Sequence, residues 1–172
     1  MRSCASGPAL LAAALVACSV ASPETEVKQA LAHLAGTGLR GGGAAIELER
    51  AAFADVTVSM EGGRARVLAM VEADGRSHDV ALSYVGREAF EMERCAGSRW
   101  CIAGGELPAL AGVVRALERA PRGPGARVVA WQVRVERDAA AVGEDYEVEG
   151  RRLRARWEVG RGEEGWKVVG GP

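Results

Sequence analysis

The chain has 172 residues, a formal net charge of −1 and a pI near 6.2. With no basic excess, nothing marks it for nucleic acid. Two histidines in the whole chain leave little material for His-dependent catalysis or metal binding, and no cofactor or metal is expected.

Met1 and Arg2 form a short positive start, followed by the uncharged run Ala9 to Ala17. That run is far shorter than the roughly 20 residues a membrane-crossing helix needs. A positive start, a short apolar core and small residues at its end read as a secretory signal over residues 1–17. The core closes on Leu15-Val16-Ala17-Cys18. These four residues, with the apolar stretch before them, resemble the lipobox of bacterial lipoproteins. The resemblance implies that Cys18 carries lipid and begins the mature chain. Ser19, in place of Asp, then implies an outer-membrane location facing the periplasm. The competing reading is ordinary secretion with cleavage after Ala21. Residues 18–22 form a short linker, so the lipid would hold the folded part close to the bilayer.

Cys4 leaves with the signal and Cys18 is assigned to lipid. Cys95 and Cys101 remain, and an oxidising compartment favours a disulfide between them. A five-residue loop between neighbouring strands would bring the two close enough.

Ser22 and Pro23 read as a helix start, and helix one spans about Pro23 to Ala35, with Val27, Ala30, Leu31 and Leu34 on one face. A Gly-rich loop follows. Alternating strands then carry turns at Gly62-Gly63, Asp74-Gly75 and Gly86-Arg87-Glu88. Helix two spans about Pro108 to Ala120. A second meander turns at Asp138-Ala139 and Gly150-Arg151, pairing Glu149 with Arg152, Glu147 with Arg154 and Asp145 with Arg156. The last hairpin sets Trp157 against Val168 and Val159 against Trp166. The motif Trp-x-aliphatic-x-Gly-Gly occurs at Trp100 and again at Trp166.

The expected fold is therefore α+β: two tandem units, 23–105 and 106–172, each a helix packed on an antiparallel β-meander. This pattern is similar to the cystatin-like and nuclear transport factor 2-like folds, and without a diagnostic motif it transfers no catalytic residue.

His33 and His78 read as surface or strand-end residues. Glu144 is the one candidate for catalysis. The register puts it on the apolar face, where desolvation would raise its pKa and suit acid–base work; alternatively, Gly143 marks a bulge that turns it outward. Trp131, Tyr146, Trp157 and Trp166 are candidates for an apolar pocket, or for plain core. The Arg152-Arg154-Arg156 stripe reads as a solvated salt ladder.

The function expected is that of a non-catalytic cell-envelope lipoprotein. Its partners would be the membrane, through the lipid, and an envelope protein or a small apolar ligand. A pocket enzyme using Glu144 and a structural or assembly role at the outer membrane are the alternatives.

Overall fold

The computed structural model describes residues 21–37, 39–40 and 46–172. The expected signal over residues 1–17 and Cys18 lie outside the described residues. Helix α1 spans Pro23–Thr37, followed by strands β1 Leu39–Arg40, β2 Ile46–Glu61, β3 Arg64–Ser77, β4 Val80–Arg94 and β5 Trp100–Ile102. Helix α2 spans Pro108–Glu118, followed by β6 Arg127–Glu136, β7 Ala139–Val148, β8 Arg151–Gly162 and β9 Gly165–Gly170.

The nine strands among the described residues belong to one sheet in the order β1-β2-β3-β4-β6-β7-β8-β9, with β5 attached to β4. This corrects the expectation of two tandem helix-on-meander units in an α+β fold. Strand dominates the chain, and β4 and β6 pair in parallel from Ala81↔Ala130 to Gly86↔Val135. Alternation fixes which face of a strand is buried, yet carries no information about which strand lies at its edge.

One face of the sheet is apolar and both helices contribute to its core. Alternate residues of β3 (Ala65, Val67, Ala69, Val71) are buried, as are Leu82, Tyr84, Phe90 and Met92 of β4. Helix α1 begins at Ser22, whose Oγ accepts the Thr25 amide at 3.3 Å. Glu24 and Glu26 sit in its first turn, where the helix dipole favours negative charge. Val27 and Leu31, four residues apart, are buried in the core. Helix α2 buries Leu110, Val113, Val114 and Leu117.

Three hairpin turns fall elsewhere than expected. The β3–β4 turn is His78-Asp79, since Ser77 pairs with Val80 and His78 has φ +51°; His tolerates that region better than most residues. Asp74 and Gly75 lie inside β3. Gly75 is needed there because a Cβ would come within 2.1 Å of Glu47 O, where β2 bulges between Leu48 and Arg50. Gly86 and Glu88 lie inside an unbroken β4, and a Cβ on Gly86 would come within 2.6 Å of the Tyr84 hydroxyl. Both glycines serve close approach rather than turning.

In the second meander the turns are Arg137-Asp138 and Glu149-Gly150. The β7–β8 pairing is thus displaced by two residues from the expected one: Glu147 faces Arg152 and Asp145 faces Arg154. An even displacement keeps every side chain on its expected face, because the side-chain period is two. In the last hairpin Val159 faces Val168 and Arg161 faces Trp166, with a bulge between Glu158 and Val159.

Candidate functional site: two buried carboxylates and an arginine-lined cleft

Glu144 lies on the apolar face of β7, opposite Trp131 and Ala155, and is 1% exposed. The register passes Gly143 without a shift, so no bulge turns Glu144 outward. Its Oε2 accepts from Arg122 Nη2 at 2.6 Å and from Trp131 Nε1 at 2.7 Å; Arg122 Nε lies 3.1 Å from Oε1. The Arg122 guanidinium also lies 5.8 Å from the centre of the Trp157 ring. Burial pushes the Glu144 carboxyl up, but the bonds from Arg122 and Trp131 and the Arg122 charge outweigh it, so the group is held below its ordinary value. This is the reverse of the direction expected from sequence. Arg122 follows Pro121 in the segment after α2, and its role has no motif to announce it.

Of the pocket candidates, Trp131 and Trp157 are buried in the core beside this pair. The Trp157 Nε1 is buried without a hydrogen-bond partner among the described residues. Tyr146 is half-buried opposite Leu153 and Val128. Trp166 packs across α2 at Gly112, where a Cβ would meet its Cδ1 at 2.2 Å.

A second carboxylate buried on the apolar face is Glu88, which the sequence reading places in a turn. It is 0% exposed. It accepts the Tyr84 hydroxyl at 2.7 Å and the amides of Ala109 at 3.0 Å and Leu110 at 2.8 Å. The residue before α2, Leu107, offers no side-chain cap, so a carboxylate from the sheet satisfies the first amides of the helix. Burial nevertheless pushes the Glu88 carboxyl above its ordinary value, against the pull of those three bonds and the Arg161 charge. Burial and the neighbouring Glu88 push the Tyr84 phenol up as well. The legible signal was the even-numbered alternation Leu82, Tyr84, Gly86, Glu88, Phe90, which continues straight through Glu88.

Beyond Gly86, β4 and β6 part, and a cleft of about 640 Å³ opens between the two meanders along one side of α2. It is lined by Arg87, Arg115, Arg119, Arg137, Arg161 and Trp166, with Asp138 and Glu164. Arg115 pairs with Glu106 at 3.0 Å and Arg161 approaches Asp138 at 4.0 Å. Arg87, Arg119 and Arg137 have no acidic partner among the described residues.

Cys95 and Cys101 are joined by a disulfide, with Cα atoms 5.9 Å apart. It closes the loop between β4 and β5. His33 is exposed on α1, and His78 Nε2 lies 3.8 Å from Glu118. In the Arg stripe, Arg154 Nε donates to Asp145 at 2.7 Å and Arg152 reaches the same carboxylate at 3.3 Å. Glu147 pairs instead with Arg127 at 2.7 Å. Among the described residues, no three His, Cys, Asp or Glu side chains gather to hold a metal, and no helix is long and apolar enough to cross a membrane. No protein-family model, curated protein or solved structure matches this chain.

Proposed function

We propose that this chain is a bacterial envelope lipoprotein, anchored through Cys18, which works by binding an anionic partner in the cleft between its two meanders. The observation that carries the reading is the lining: five arginines border one cleft, and three of them have no acidic partner among the described residues. Arginines left unpaired around a concave site favour carboxylate or phosphate, which a guanidinium engages through paired hydrogen bonds. The small-apolar-ligand reading has less support, since Trp131 and Trp157 are committed to the core around Glu144. A pocket enzyme using Glu144 is disfavoured too. A carboxylate clamped by Arg122 and held ionised is poorly placed to exchange protons near neutral pH.

Two measurements test the reading. Titration of the full chain in detergent with inorganic tripolyphosphate should show salt-sensitive binding, weakened at least tenfold by Arg119→Gln with Arg137→Gln. Equal binding by that variant would refute the cleft assignment. Cys18→Ala should abolish acyl labelling and membrane partitioning while secretion persists; unchanged mass and partitioning would refute the anchor.

A further inference from the structure

The cleft is bordered by more than side chains. Strand β4 pairs with β6 only as far as Gly86 and meets β5 first at Met92. Between those points, β3 is its one partner strand among the described residues. Arg87, Glu88 and Ala89, at the start of this gap, line the cleft. Alternate backbone groups of a strand point away from its one neighbour, so this stretch offers main-chain donors and acceptors along about 10 Å of cleft wall. An open strand edge is a ready template for another strand. Here it lies inside the sheet, between two meanders.

The side chains around it are of two kinds. Arg87 on β4 and Arg137 in the β6–β7 turn are exposed and have no acidic partner among the described residues. On the helix side the wall is Pro108, Ala109, Gly112, Ala116 and Trp166, with Arg115 and Arg119 beside them. A strand inserted here would present alternate side chains to these two walls. Building on the anionic-partner reading above, we infer that the occupant is an extended acidic segment of a partner protein. It adds to the open edge of β4, with carboxylates towards Arg87 and Arg137 and intervening apolar residues towards Trp166 and α2. Main-chain bonding supplies affinity in such strand addition, and the alternate side chains supply specificity. A compact anion would use the arginines and leave the strand edge unused.

The test uses the full chain in detergent and an array of 12-residue peptides alternating Glu with Val, Ile, Phe or Tyr. Selected peptides should bind, compete with tripolyphosphate and weaken at least tenfold on Arg87→Gln with Arg137→Gln. N-methylation of alternate peptide amides, in one of the two phases, should weaken binding by a similar factor. Thermal melts of the variant, expected to match the parent because both arginines are exposed, separate lost binding from lost folding. Equal affinity for peptides methylated in either phase would overturn strand addition. Tripolyphosphate binding without any peptide binding would overturn the acidic-segment inference and leave the cleft reading standing. Failure of both probes would overturn both.

Discussion

Arg122→Met isolates what the buried ion pair contributes. Glu144 is 1% exposed, and the Arg122 side chain is 16% exposed. The substitution removes the contacts at 2.6 and 3.1 Å and leaves the carboxylate bonded to Trp131 Nε1 at 2.7 Å. Stranding a buried charge by removing its partner costs about 3–5 kcal/mol. Because Arg122 keeps some contact with water, the lower end is expected, about 3 kcal/mol. For a chain of this size that is a fall in Tm of roughly 6–12 °C.

The pH dependence gives a sharper signature. In the parent, the folded value of Glu144 is depressed below 4.5. Its contribution is present above the unfolded value and lost as pH falls through the folded one. Without Arg122, burial dominates and the folded value rises above 4.5, so the sign reverses. The variant should then recover stability, relative to the parent, between pH 7 and pH 5. Urea denaturation at both pH values measures this. A deficit below about 1 kcal/mol, or one that does not change with pH, would refute the reasoning. Arg122→Met combined with Glu144→Leu should recover most of the loss, since a buried pair replaced by apolar side chains is often close to neutral.

Glu88→Ala should cost about 2–4 kcal/mol, because it strands the Tyr84 hydroxyl and the first amides of α2; faster hydrogen exchange at Ala109 and Leu110 would locate the damage. The raised folded value of Glu88 means its contribution is greatest below 4.5 and declines as pH rises through that folded value. Glu88→Gln should therefore flatten that part of the stability profile in urea titrations, and an unchanged slope would count against it. Cys95→Ser with Cys101→Ser should cost about 2 kcal/mol by the loop-closure relation for a separation of six. Intact mass after alkylation without reduction should show neither thiol labelled.

Much of the local structure is legible in the sequence. Ser22-Pro23 and Pro108 mark the helix starts, Gly62-Gly63 marks a turn, and period-two alternation puts Val67, Trp131, Val142 and Glu144 on the buried face. Two of the misplaced turns share one cause. Asp74-Gly75 and Gly86-Arg87-Glu88 have the composition of turns, but their glycines answer to backbone and side chains distant in sequence. A glycine required for close approach looks the same in one dimension as a glycine required for a turn.

The sequence by itself determined which residues alternate, where helices begin and that Cys95 and Cys101 stand at loop-closing distance, because these depend on neighbours along the chain. The tertiary structure alone decided three things: that β4 and β6 join both meanders into one sheet, that Arg122 meets Glu144, and that a cleft lined by arginines opens where β4 and β6 part. Each depends on pairing between segments whose separation in sequence carries no periodic signal.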